Sequence, residues 1–282
     1  MIKKIVLTGS SGKAGRAVMQ DLLKYDYSVT AVDLVHVPLS ERPWHTLRAD
    51  LTDLGETLEV LMGADAVIHL ANIPAPELFP AGRTFEENTL MNYNVFSAAK
   101  DLKLKRVVWA SSETTLGLPF DILPQYAPID EAHYPYPESS YALSKVVAET
   151  MAEQFSRWSG IPFVGLRLSN VLNDQDYQNF PSYWQDALLR KWNLWGYVGE
   201  RDVALACRLS LHAEITGSNN YIIAAADTVM NRPSLDLMKE VFPTVTLKKS
   251  VGEFETLLTI DKARAELGYE PQHSWRDVLQ NN

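Results

Sequence analysis

The sequence predicts an α/β protein, a doubly wound parallel sheet with a small lobe interleaved at its C-terminal end. Three observations carry that prediction. The chain opens on an apolar run, a glycine-rich turn and a helical pattern. Apolar runs and helical patterns then alternate as far as Leu168, and beyond Asn170 the alternation degrades. Strands alternating with helices imply parallel βαβ units with right-handed crossovers. The boundaries that follow are 1–172 for the sheet domain, with 201–226 returning to it, and 173–200 with 227–282 for the lobe.

Ile5-Val6-Leu7 reads as the first strand, and Arg16 to Lys24, with Val18, Leu22 and Leu23 at helical spacing, as the first helix. Between them lies Thr8-Gly9-Ser10-Ser11-Gly12-Lys13-Ala14-Gly15. Such a turn must reverse tightly, let backbone approach a diphosphate and pack a helix close to a strand, and each task favours a residue without a Cβ. The helix start offers free N–H groups and a positive dipole end to the diphosphate. The reading is dinucleotide binding, with Gly9, Ser11, Gly12, Lys13, Ala14 and Gly15 around the phosphates; a plain βα turn is the alternative.

Ser28 to Val32 reads as the second strand. Asp33 ends it, near the ~20-residue spacing expected for a ribose partner. A carboxylate there accepts bonds from both ribose hydroxyls and repels a 2′-phosphate, so NAD is favoured over NADP. Lys13 and Arg16, cations beside the turn, could serve either cofactor, and Arg16 reads equally well as solvated surface.

The remaining elements follow in order. His45 to Ala49 is a short third strand before Asp50-Leu51, Leu54 to Met62 a helix, and Asp65 to Leu70 a fourth strand followed by Ala71-Asn72. His69, inside that apolar run, reads as a satisfied strand histidine. Thr84 to Leu102 is a long helix, and Arg106 to Ala110 a fifth strand ending in Ser111-Ser112. The stretch 113–138 is too irregular for one element. Ser139 to Trp158 is a helix and Pro162 to Leu168 the sixth strand. Ligands of such sheets lie at the carboxyl ends of the strands, where Gly9, Asp33, Ala71, Ser112 and Asn170 all fall. Thereafter come an aromatic stretch from Tyr177 to Trp195, with Pro181 as a helix start, a helix over Arg201 to Leu211, a strand over Tyr221 to Ala225, and a helix over Asp261 to Leu267. The aromatic stretch reads first as lobe core and second as walls for a sugar.

The 282 residues suffice for a large core, and 46% hydrophobic with 22% charged residues is a globular composition. A net charge of −9 argues against nucleic-acid or anionic-membrane surfaces. The single cysteine, Cys207, leaves no disulfide within the chain and no cysteine cluster for zinc. No signal-type segment and no apolar run of membrane length is read, so a cytoplasmic location is the expectation.

Tyr141 and Lys145 are four residues apart, hence on one helix face, with Ser112 upstream at a strand end. This pattern suits proton transfer at an alcohol or carbonyl. A free phenol titrates near 10, and an adjacent ammonium together with an oxidised nicotinamide favours the phenolate.

The chain resembles the extended short-chain dehydrogenases/reductases, in the NAD-dependent epimerase/dehydratase group. The resemblance rests on Gly9/Gly12/Gly15, Asp33, Asp50-Leu51, Leu70-Ala71, Asn88, Ala110-Ser111-Ser112, Tyr141/Lys145, Arg167 to Val171, Arg201 to Ala204 and the tail Lys262 to Pro271. It implies a Rossmann domain with bound NAD and a Ser112, Tyr141, Lys145 triad. It further implies Asp50 and Leu51 near the adenine, Leu70, Ala71 and Asn72 toward the diphosphate and ribose, and Asn88 and Lys145 on the cofactor side. A homodimer through the helices around 88–102 and 139–158 is also implied. Ser111, Glu113, Thr114 and Asn170 are the expected substrate contacts.

Dehydratases of this group follow the hydroxyl with two acids, whereas Glu113 here precedes Thr114. Asn170-Val171-Leu172-Asn173-Asp174 departs from the usual Asn-Val-Tyr-Gly-Pro, and the short lobe suits a small carbohydrate. The proportions resemble uronate dehydrogenases. Oxidation of a sugar or sugar acid is favoured over epimerisation, and a non-catalytic dinucleotide-binding regulator is the third reading.

Overall fold

The computed structural model describes residues 2–35 and 44–280. Strands β1 (Lys4–Thr8), β2 (Ser28–Asp33), β3 (Thr46–Arg48), β4 (Ala66–His69), β5 (Arg106–Ser112), β7 (Phe163–Leu168) and β10 (Ser218–Ile223) form one seven-stranded parallel sheet in the order β10-β7-β5-β4-β1-β2-β3. The order reverses between β1 and β4, which opens a crevice above their carboxyl ends. The fold is α/β of the Rossmann kind.

Strand pleating divides the core in two. Ile5, Leu7, Ile68 and Val108 face helices α1 (Lys13–Leu22) and α5 (Glu200–Ser210). Val6, Val67, Val107 and Trp109 face α2 (Leu54–Leu61), α3 (Ala81–Asp101) and α4 (Ser140–Ser159). The helix starts obey capping chemistry: Asp53 accepts the Glu56 N–H at 2.9 Å and Ser139 the Ala142 N–H at 3.1 Å. Gly160 ends α4 with φ +74°, a conformation costly for a residue carrying Cβ.

The last strand of the sheet is Ser218–Ile223 rather than Tyr221 to Ala225. Its parallel register, Ser218 opposite Phe163 and Ile223 opposite Leu168, fixes the frame that apolarity alone placed three residues late.

The segments expected to form the lobe hold two 3-10 helices, Asp176–Ser182 and Ala187–Asn193, and share one core cluster with the sheet. Pro181 sits inside the first of them instead of starting a helix. Strand β8 (Val171–Leu172) pairs with β9 (Val198–Gly199), and β6 (Tyr126–Ala127) with β11 (Thr246–Leu247). Helices α6 (Ser234–Val241), α7 (Asp261–Leu267) and α8 (Trp275–Gln280) follow. Tyr177 and Phe180 are buried, with ring centroids 5.3 Å apart, and Phe180 meets Tyr197 at 5.5 Å and Trp275 at 5.8 Å. That part of the aromatic stretch is core.

Candidate active site

The glycine corner is shaped by steric need. Gly9 has φ +68°, and a Cβ there would lie 2.6 Å from the Ala71 nitrogen. A Cβ on Gly15 would lie 2.1 Å from the Gly9 carbonyl oxygen. Both contacts are with backbone, so neither can yield cheaply. Gly12 caps α1 without a side-chain bond, leaving the helix start to its own N–H groups. Asp33, at the end of β2, accepts the Ser11 N–H at 2.8 Å and the Val35 N–H at 3.0 Å. An open helix terminus on a glycine floor, with a carboxylate beside it, fits a diphosphate and a ribose.

Ala14, in the first turn of α1, is half-buried, and Lys13 beside it pairs with Asp176 of the lobe and donates to the Val171 carbonyl at 3.4 Å. Leu70 and Ala71 are half-buried at the end of β4, where the Ala71 N–H reaches the Thr8 hydroxyl at 3.3 Å. The Asn72 side-chain oxygen accepts from Asn92 at 3.3 Å. Leu51 is buried, and its carbonyl accepts from Asn94 at 2.9 Å.

Two of the residues expected near the cofactor also have partners within the protein. Asn88 is fully buried and serves the backbone of Ile73, accepting its N–H at 2.7 Å and donating to its carbonyl at 3.1 Å. It shapes the loop after β4. Asp50 spends one carboxylate oxygen on the Thr52 N–H and hydroxyl, at 2.9 and 2.7 Å, to brace the turn before α2.

The expected triad comes together at the end of β5. Tyr141, buried in the first turn of α4, lies beside the Ser112 side chain. Ser112 Oγ also accepts the Thr114 N–H at 3.1 Å and lies 3.0 Å from the Thr114 hydroxyl, so Thr114 orients the serine. Lys145 Nζ stands 5.5 Å from the Tyr141 ring centre and donates to the Ala110 carbonyl at 2.7 Å. Burial pushes the Tyr141 phenol up to about 12, and Glu113 adds to the rise, while Ser112 acts against it. Burial pulls Lys145 down to about 7, against the opposing charge of Glu149. Burial also holds His69 neutral, down to about 3, with its Nδ1 2.7 Å from the Thr8 hydroxyl.

Two expected substrate contacts point elsewhere. Ser111 donates to Glu149 Oε1 at 2.6 Å in the interior, because the pleat puts it on the face of Val107 and Trp109, toward α4. Glu113 is 3% exposed; its Oε2 takes the Ser169 hydroxyl at 2.6 Å and its Oε1 the Asn193 amide at 3.2 Å. Burial among these neutral donors pushes it up to about 7. Asn170, half-buried, accepts the Val198 N–H at 3.0 Å.

Sequence reading missed Ser169, Asn193 and Glu149. Glu149, four residues after Lys145, carried a helix-face signal; Asn193, eighty residues from its partner, carried none. A cavity of about 430 Å³ lined by Asp227, Glu255, His273 and Arg276 shares no residue with this site. Its Asp227 is already paired with Arg276 at 3.0 Å. Among the described residues no helix is long and apolar enough to cross a membrane, and no group of three His, Cys, Asp or Glu could hold a metal.

The model of the NAD dependent epimerase/dehydratase family matches residues 5–205. The chain is 27% identical over 199 residues to an NAD-dependent glucose-6-phosphate dehydrogenase of Haloferax volcanii, covering 65% of this chain and 76% of that one. It is 27% identical over 187 residues to a uronate dehydrogenase of Pseudomonas syringae, covering 64% of each. Among solved structures, a short-chain dehydrogenase/reductase superfamily protein from Agrobacterium tumefaciens with bound NAD superposes with a TM-score of 0.76 at 20% identity, covering 99% of this chain and 95% of that one. A UDP-glucose 4-epimerase of Thermotoga maritima, with UDP-glucose, gives 0.75 at 21%, covering 98% and 96%. These structures share the fold. The chain belongs to the NAD dependent epimerase/dehydratase family, and with it to the NAD-using enzymes of the extended short-chain dehydrogenase/reductase superfamily.

Proposed function

We propose that the protein is an NAD-dependent oxidoreductase exchanging a hydride between nicotinamide and the hydroxyl of a sugar or sugar acid. The observation that carries this reading is the placement of Tyr141 beside Ser112, with Lys145 Nζ 5.5 Å from the Tyr141 ring centre, at the carboxyl ends of the strands next to the glycine corner. The corner, Asp33 and the loop after β4 would hold NAD, the carboxylate of Asp33 opposing a 2′-phosphate. NAD, when bound, supplies the hydride acceptor and a positive charge. Ser112 holds the substrate oxygen, and Tyr141 takes the hydroxyl proton as a phenolate that Lys145 stabilises. Dehydrogenase relatives acting on glucose 6-phosphate and uronates support a small carbohydrate as substrate.

Elimination is disfavoured: Glu113 is spent on Ser169 and Asn193, and Thr114 follows it. A second reading, epimerisation, is favoured by the relative described as a putative UDP-glucose 4-epimerase of Methanocaldococcus jannaschii, 28% identical over 185 residues. An epimerase would retain its NAD and give no net NADH. We further propose a homodimer through α3 and α4, whose Leu90, Tyr93, Leu143 and Trp158 are exposed; light scattering at a monomer's mass would refute it.

The deciding experiment screens free sugars, sugar acids and nucleotide sugars for NADH absorbance, with Tyr141→Phe as control. Turnover should fall about 10²–10⁴-fold in that variant while NAD affinity stays near normal. Unchanged turnover would overturn the assignment.

A further inference from the structure

Three side chains of helix α4, spaced one turn apart, meet three consecutive residues of β5. Lys145 holds the Ala110 carbonyl at 2.7 Å and Glu149 the Ser111 hydroxyl at 2.6 Å, while Tyr141 lies beside Ser112. The proton transfer described above uses the first and third of these contacts and leaves the middle one without a task. Glu149 is also the anionic half of a buried ion pair. Arg167 Nε meets its Oε1 at 2.9 Å and Arg167 Nη2 its Oε2 at 2.8 Å, with the two side chains 5% and 9% exposed. Such a pair is a poor device for stability alone, since well-packed apolar residues often serve equally well or better.

We propose that Glu149 is a positioning residue for the reaction: it locks the Ser112-bearing end of β5 to α4 and supplies, one turn away, the anion that keeps the Lys145 ammonium charged beside Tyr141. The proposal rests on the reading of Tyr141 and Lys145 as the reactive pair.

The surroundings of Lys145 leave Glu149 as its supporting charge. On α4 itself the neighbours are Tyr141 and Glu149, and Glu149 raises the ammonium against burial. From β4 comes His69, held neutral. From the end of β5 come the Ala110 carbonyl and, beyond Ser112, Glu113, whose charge acts on Tyr141. From β7 comes Arg167, already bound to Glu149, and behind it Glu131, which accepts the Ile222 N–H at 2.8 Å. Without Glu149 the ammonium gives up its proton at lower pH, and the phenolate loses its cationic neighbour.

The test is the double variant Glu149→Gln/Arg167→Met, which removes both charges and strands neither. The expected result is a folded protein whose acidic limb of kcat/KM moves to higher pH by on the order of one unit, with kcat near neutral pH falling about ten-fold and KM little changed. A wild-type rate and profile in the folded double variant overturns the proposal. Should that variant fail to fold, Glu149→Gln keeps the shape and the Ser111 contact. Phenolate absorbance, read as the difference between each protein and its Tyr141→Phe counterpart, then reports the shift without turnover. An unshifted titration there is equally fatal. Tyr141→Phe retaining full turnover would remove the reading beneath the proposal, and the proposal with it. An inert Tyr141→Phe beside an unshifted profile removes the proposal alone.

Discussion

Glu149 lies on the helix α4 side of the Tyr141–Lys145 pair and Glu113 on the lobe side, both at 10% exposure or less. Glu149 meets a guanidinium through two short bonds. Glu113 meets a hydroxyl and an amide, with Arg190 near enough to act only through its charge. Burial without a contacting counter-charge pushes Glu113 up to about 7, whereas Arg167 is available to match Glu149 charge for charge. One carboxylate is thus closed in an ion pair, and the other, Glu113, is built to exchange a proton near neutrality. Because the charge of Glu113 opposes ionisation of Tyr141, the lobe side favours the phenolate most when Glu113 is protonated.

The contrast breaks first at Arg167. Replacing Arg167 with Met strands Glu149 without its counter-ion and should cost about 3–5 kcal/mol in urea unfolding; a loss below about 1 kcal/mol would show that the pair is not the closed unit described here. A smaller effect follows from Glu113. Its native value lies above the ordinary 4.5, so between 4.5 and about 7 the folded state keeps a proton that the unfolded state has released. The stability contributed is fully present below the lower value and is lost as pH rises through about 7, amounting to about 3 kcal/mol. Glu113→Gln should flatten that slope; unfolding curves near pH 5 and pH 8 of both proteins decide it. The smallest change expected is from Asn193→Ala, which deletes one neutral donor. It should cost about 1–2 kcal/mol and steepen the same slope, and an unchanged slope would place Asn193 outside the device.

The two regions also differ in how far the sequence exposed them. The glycine corner, Asp33 and the Tyr141–Lys145 spacing were readable because each is a local pattern: a turn that excludes Cβ, a strand end, one helix face. Ser111 was readable in principle, since strand alternation pairs it with Val107 and Trp109, yet its position beside Ser112 invited a substrate role. Glu113 was not readable, because its partners Ser169 and Asn193 come from distant segments. In the lobe, the aromatic spacing of 177–195 suggested a helix start at Pro181, but short 3-10 turns pack those rings without a 3.6-residue repeat. Helix α6 was missed although Pro233 precedes it and Leu237 and Met238 form its buried side.

The pairing of Lys13 with Asp176 ties the lobe to the very helix start where a diphosphate would settle. Each side chain is about one third exposed, so the tie is screened by water and by dissolved ions and contributes only ~0–1 kcal/mol. A diphosphate held by Lys13 would compete with Asp176 for one ammonium. The first turn after β8 is therefore fastened by a weak bond, which rising ionic strength loosens further.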